Sequence, residues 1–186
     1  MAELHRSMVI GKTALCPFNE DTPALFERWF ADQDLVELMG DWEFQPLPYY
    51  KQTPQEFVQR IRPTTWLVCA LDGDETLPIG YAGITVQNRH RVGIVRIAIA
   101  EKEHRRHGYG REAGKLLNLW AFRSLDLFKL QASAAATNRA SIELMLSFGY
   151  RECGRYTLAR HTRDGRSDEV LMELMRDVWE QRETQQ

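Results

Sequence analysis

Apolar and polar residues along this chain change period several times, and each change marks an element. SMVIGKTALC (7–16) carries a short apolar run that predicts one strand. In DTPALFERWF, Asp21 or Thr22 stands as a cap before Pro23, which suits the first helical position, and Leu25, Phe26 and Trp29 then share one face. A second short helix is expected over 32–39. Thr53, three residues before Glu56 in TPQEFVQRI, makes a capping-box pattern for a third. WLVCAL (66–71) and LPIGYAGITVQ (77–87), parted by the turn DGDET, predict a hairpin. VGIVRIAIA (92–100) is apolar on both faces, as a central strand is.

From Gly108 the period becomes helical. Ala113, Leu116, Leu117, Trp120 and Ala121 recur at i, i+3, i+4, i+7 and i+8. LFKLQASAA (127–135) is a strand, parallel to 92–100 because a helix connects the two. NRASIELMLSFGY predicts a helix stopped by Gly149. Segments 150–161 and 167–175 form a closing antiparallel pair around TRDGR, and the polar DVWEQRETQQ is expected to fray. These elements predict an α/β (α+β) fold. Its central sheet is mixed and mostly antiparallel, with one parallel β-α-β crossover and flanking helices, in a single domain over 1–186.

Net charge is −2 over 186 residues, so nothing global argues for nucleic acid or a membrane surface as partner. Cys16, Cys69 and Cys153 lie far apart without C-x-x-C spacing, which disfavours a metal site or disulfides and predicts reduced, buried thiols. MAELHRSMVIGK lacks an apolar signal core, so a soluble, cytoplasmic chain is expected.

Against this neutral background the stretch RRHGYGREAG (105–114) stands out. It sets glycines 108, 110 and 114 and several cations at the mouth of a helix. Helix N-termini carry unpaired N–H groups and the positive end of the dipole, and glycines let the backbone approach an anion. A solvated basic turn is the plainer reading. The apolar run before it and the cluster Lys102, Arg105, Arg106, Arg111 and Lys115 favour a phosphate-bearing ligand. A P-loop string is absent. A dinucleotide fold would need the glycines in its first β-α turn and an acidic residue at the end of the next strand, whereas Asp126 precedes that strand.

Arg105-x-x-Gly108-x-Gly110 resembles the Q/R-x-x-G-x-G/A motif of the GNAT superfamily of N-acetyltransferases. The likeness extends over nearly the whole chain. It takes in strand 92–100, the helix from 108, strand 127–135, and Asn138-Arg-Ala-Ser141-Ile with Phe148-Gly-Tyr. Asp164-Gly165 and Asp168-Glu169-Val170 are similar to the branch holding ribosomal-protein N-terminal and spermidine acetyltransferases. The resemblance implies acetyl-CoA as co-substrate and no metal. Its pyrophosphate would rest on the amides from Arg106 through His107, Gly108, Tyr109 and Gly110 to Arg111. Ala98, Ile99 and Ala100 would pair with the pantetheine arm as a strand does. The strands 92–100 and 127–135 would splay at this end. An amide near Ile99 or Ala100 would polarise the thioester. Asn138 would hold the pantetheine, cap its helix, or do both.

The family's usual Tyr, seven residues after the Asn, is replaced here by Met145, which fits an apolar helix face. Ser141, one turn after Asn138, is the nearest substitute as a proton donor to the thiolate. Base candidates are Glu43, Glu101 and His161, with water as a further relay. Trp42, Tyr49 and Tyr50, with Asp41 and Glu43, could face a cationic acceptor, or could staple their loop to the core. The expected activity is N-acetylation of a primary amine: a small molecule such as a polyamine, or a protein N-terminus. A module that binds CoA without transfer is the alternative that the missing Tyr leaves open. The resemblance is compatible with a homodimer.

Overall fold

The computed structural model describes residues 4–39 and 54–185. Eight strands form one sheet: β1 (Met8–Ile10), β2 (Thr13–Cys16), β3 (Thr65–Asp72), β4 (Glu75–Gln87), β5 (Val92–Ile99), β6 (Lys129–Ala135), β7 (Arg151–Thr162) and β8 (Gly165–Met175). Their spatial order is β1-β2-β3-β4-β5-β6-β8-β7. Neighbours run antiparallel except β5 and β6, so the mixed sheet with one parallel crossover is as expected. Helices α1 (Thr22–Phe30), α2 (Gln33–Met39), α3 (Pro54–Ile61), α4 (Tyr109–Leu119), α5 (Arg139–Ser147) and α6 (Arg176–Thr184) complete the described fold.

Two cores result because most strands bury both faces. On one side Leu117, Phe122, Met145, Phe148 and Trp179 pack on Ile84, Val95, Leu130 and Leu174. On the other Phe18, Phe26, Trp29 and Leu35 pack on Cys16, Leu67, Tyr81 and Ala100. Phe26 anchors the second core, with ring centroids 5.3 Å from Trp29 and 5.1 Å from Tyr81.

Several expectations are corrected. Segment 7–16 is a hairpin, not one strand: Gly11 takes φ 54° and turns β1 back onto β2. The start of α1 is held not by an Asp21 side chain but by Thr22, whose hydroxyl accepts from the Asn19 N–H at 2.9 Å. The terminal segment is helix α6, because Trp179 is 4% exposed and stacks on Phe122 at 5.1 Å. Cys16 and Cys69 are buried, but Cys153 is exposed where β7 bulges between Glu152 and Gly154. The capping box at Thr53 lies outside the described residues.

Candidate active site

The parallel pair β5–β6 is joined over only three residue pairs, Val92 with Lys129 to Ile94 with Gln131. Beyond Ile94 the two strands part, leaving about 16 Å of β5 edge unpaired among the described residues at about 3.3 Å per residue. The gap opens at the carboxyl ends of both strands, where parallel sheets place ligands. Ladder alternation decides which amides face it. Ala100 donates its N–H to the Ile79 carbonyl at 2.8 Å, so it points into the sheet. Ile97 and Ile99 therefore turn their N–H groups to the gap. Of the two amides considered for polarising a thioester, the Ile99 N–H is the one on the open edge.

Side chains alternate the other way. Ile97 and Ile99 pack toward α4 and α5, while Ala98 and Ala100 face the aromatic core under α1. Ala100 is buried there, so close packing explains its size; Ala98 stays half-buried.

The loop after β5 is built from main chain. Lys102–His104 makes a single 3-10 turn. The backbone then enters the left-handed region at Arg106 (φ 64°) and Gly108 (φ 92°). Such reversals turn successive N–H groups toward one side, and a non-glycine residue held there marks a strained segment of the kind found at ligand sites. Among the described residues none accepts a hydrogen bond from the N–H of Arg106, His107, Gly108, Tyr109 or Gly110. Arg111 differs: its N–H is taken by the Gly108 carbonyl at 2.9 Å. The free amides thus run from 106 to 110. The exposed guanidiniums of Arg106 and Arg111 have no carboxylate partner among the described residues.

Arg105 acts through its side chain on the protein itself. Its Nε donates to the Ile99 carbonyl at 2.9 Å and an Nη to the Ala100 carbonyl at 2.8 Å. It ties the amide loop to the end of β5. His107 Nδ1 lies 2.8 Å from the Arg105 carbonyl. The Tyr109 ring is held under Lys12 Nζ, 4.7 Å from its centroid, so this residue offers the site its amide. The three glycines have separate tasks. Gly108 allows the positive φ. A Cβ on Gly110 would point to the space bordered by Leu144 and Ile99, at 3.6 and 3.8 Å. A Cβ on Gly114 would meet Phe148 at 2.3 Å, so its absence lets α4 and α5 pack closely.

Asn138 caps α5: its Oδ1 accepts from the Ser141 N–H at 3.2 Å. Ser141 is half-buried in the first turn of α5, which follows β6 at the mouth of the gap. Its hydroxyl has no partner among the described residues. Met145 is 5% exposed and belongs to the core. Glu101 is engaged by Arg28 and by the Trp29 indole N–H, the latter at 2.8 Å. His161 is exposed near the β7–β8 turn and lines a groove of about 230 Å³ with Gln33, Val36, Glu37, Thr162 and Arg163. Asp41, Trp42, Glu43, Tyr49 and Tyr50 lie outside the described residues.

Sequence reasoning missed a charged cluster beside this groove. Asp34 accepts from Arg163 at 2.7 Å and from Lys102 at 3.3 Å. The Arg163 guanidinium, then the Lys102 ammonium, holds the Asp34 carboxyl below the usual carboxylate range. Asp32 faces Lys102 at 3.3 Å and Arg105 at 3.8 Å. The only sequence sign was D-Q-D ahead of a helix, which reads as ordinary first-turn acidity. Among the described residues no His, Cys, Asp and Glu cluster suits a metal ion. No described helix is long and apolar enough to cross a membrane.

A family model described as an acetyltransferase (GNAT) domain matches residues 13–151. No curated protein matches the chain. Among solved structures, an acetyltransferase of the GNAT family from Bacillus anthracis is similar at TM-score 0.75 and 13% identity, covering 91% of this chain and 98% of that one. A spermidine N-acetyltransferase from Vibrio cholerae, solved with CoA and spermine, is similar at TM-score 0.74 and 17% identity, over 90% of this chain and 98% of that one. Mutant forms of the spermidine/spermine N-acetyltransferase of the same organism reach TM-score 0.73 at 19% identity, over 92% of this chain and 98% of theirs.

Proposed function

The chain belongs to the GNAT family of acetyltransferases and is an acyl-CoA-dependent acetyltransferase, and on that premise we propose that it acetylates a primary amine, a polyamine, another small amine or a protein N-terminus, from acetyl-CoA. One observation carries the cofactor half of this reading: five consecutive free amides, 106–110, beside the open edge of β5. A pyrophosphate, with one negative charge on each phosphate, fits such a set. Each charge-assisted bond contributes about 1.5–3 kcal/mol when water is excluded. Arg106 and Arg111 add unpaired positive charge. The N–H groups of Ile97 and Ile99 would receive the pantetheine arm as a strand edge does, and Asn138 borders its far side.

Acetyl-CoA supplies the acetyl group, whose carbonyl carbon takes the new C–N bond to the amine before its C–S bond breaks. The Ile99 N–H then stabilises the charge growing on the carbonyl oxygen. The Ser141 hydroxyl, in the first turn of α5, donates a proton to the departing sulfur. His161, across the groove from α2, takes a proton from the substrate ammonium through water, which leaves the neutral amine to attack. Met145 has no part in the chemistry. Glu101 is held by Arg28 and Trp29 and is set aside as a base.

Calorimetric titration with acetyl-CoA and with S-acetylpantetheine, which lacks the nucleotide and its phosphates, tests the reading. Binding of the first with loss for the second supports the amide cradle. Equal binding, or none, would overturn it. Thiol release over a panel of amines then reports the acceptor.

A further inference from the structure

The groove beside His161 and the amide loop are connected by a continuous path of charges. The β7–β8 turn contributes Arg163, whose guanidinium meets Asp34 at 2.7 Å and whose N–H donates to Glu37 Oε1 at 2.9 Å. The other oxygen of Asp34 meets Lys102 at 3.3 Å. Lys102 also meets Asp32 at 3.3 Å, and Asp32 faces Arg105. Arg105 in turn binds the carbonyls of Ile99 and Ala100, one residue before the free amides begin. Asp34 is the branch point of this path, since its two oxygens serve cations from two different loops.

We propose that Asp34 is a positioning residue for the transfer reaction: through Arg163 and Lys102 it straps the wall of the groove beside His161, taken here as the amine's side of the site, to the acetyl-CoA loop, so that the two halves of the site adopt their working arrangement together. This rests on the acetyl-CoA reading above. The pairs are exposed, with Asp34 at 53%, and each contributes little to global stability. Their effect falls on the loop. The apparent affinity of a site scales with the fraction of molecules whose loop is competent. Losing two weak pairs lowers that fraction about three- to tenfold. Arg163 belongs to the groove wall, so an effect of its removal on acetyl-CoA binding must travel along the strap.

The test compares Asp34→Ala, Arg163→Ala, their double variant and Asp34→Glu. Asp34→Ala and Arg163→Ala should each weaken acetyl-CoA binding about three- to tenfold and raise the amine KM, with kcat and melting temperature nearly unchanged. The double variant should be no worse than either single one, because both remove the same link. Asp34→Glu should restore most of the affinity. At about 1 M salt, where screening reaches about 3 Å, the difference from wild type should shrink. Hydrogen exchange without ligand gives an independent readout: the amides of His104 and Arg105, bonded to the Glu101 and Lys102 carbonyls, should exchange faster in both single variants. Wild-type protein that fails to bind acetyl-CoA while exchange still responds would remove the cofactor reading and keep the strap. Normal binding with unaltered affinity and exchange in Arg163→Ala would overturn the strap, and so would additive losses in the double variant.

Discussion

Replacing Gly110 by leucine separates ligand exclusion from damage to the fold. Gly110 is the second residue of α4, and its backbone is not in the left-handed region. A Cβ there would sit 3.6 Å from Leu144 Cδ2 and 3.8 Å from Ile99 Cγ1, which is ordinary contact. Gly110→Ala therefore fits, and the helix preference of alanine adds up to about 1 kcal/mol, less near a helix end. That amounts to a rise of a few degrees at most in Tm. Gly110→Leu carries three more carbons. The space they enter lies between the end of β5 and α5, in the path assigned to acetyl-CoA. Loss of two amide–phosphate bonds at about 1.5 kcal/mol each removes about 3 kcal/mol, or roughly a hundredfold in Kd. Calorimetry and thermal melts on the same samples read both quantities. The expected result is a Tm equal to or above wild type, with acetyl-CoA binding weakened about a hundredfold for leucine and less than tenfold for alanine. Gly108 makes the contrast. Nothing blocks a Cβ there, but φ is 92°, so Gly108→Ala strains the backbone by about 1–2 kcal/mol and lowers Tm. Binding of acetyl-CoA by Gly110→Leu within about twofold of wild type, on a folded protein, would refute the placement of the ligand.

Gly114→Ala should destabilise by about 1–2 kcal/mol in urea titrations, because overpacking against Phe148 at 2.3 Å outweighs the helix preference of alanine; a stabilised variant would show that the ring yields freely. Lys129, then Arg151, holds the Glu173 carboxyl below its ordinary value of 4.5, and its side chain is 12% exposed. A depressed folded-state value means that its stabilisation is complete above the unfolded value and is lost as pH falls through the folded one. Glu173→Gln should therefore cost about 1 kcal/mol near neutrality and flatten the acid limb of a stability profile below about pH 4.5, while an equal loss at pH 3 and pH 7 would contradict this. Ser141→Ala should lower kcat about 10- to 100-fold, with acetyl-CoA affinity within twofold of wild type, since a thiolate leaves readily without full proton transfer; unchanged kcat would remove its proposed role.

Much of the site was legible because it is local. The change of period at Gly108, the glycine spacing and the basic residues from Lys102 to Lys115 all lie within fourteen consecutive positions, and their geometry follows from a helix start after an apolar strand. The same holds for Asn138 and Ser141, one turn apart in a single helix. The Met145 substitution also read correctly, since an apolar residue at that helical position packs into the core. Elements whose formation depends on distant partners were not legible. The C-terminal segment is polar and reads as a frayed end, yet it is a helix because Trp179 stacks on Phe122 and Arg182 reaches the Ser147 carbonyl at 3.2 Å. The hairpin at 8–16 depends on Glu112, whose carboxylate bonds the Thr13 hydroxyl at 2.6 Å and the Lys12 N–H at 3.2 Å.

From the sequence alone came the order and type of most elements, the parallel crossover, the family resemblance and the glycine-rich loop before α4, because periodicity, capping and glycine placement act over a few residues. Tertiary structure alone decided which amides remain free among the described residues, which edge of β5 is open, and that the Arg105 guanidinium bonds the Ile99 and Ala100 carbonyls. It also decided the charge path through Asp34, whose partners are 68 and 129 positions away in the chain. No spacing rule reaches that far: such pairs form only when the sheet order has already brought the two loops together.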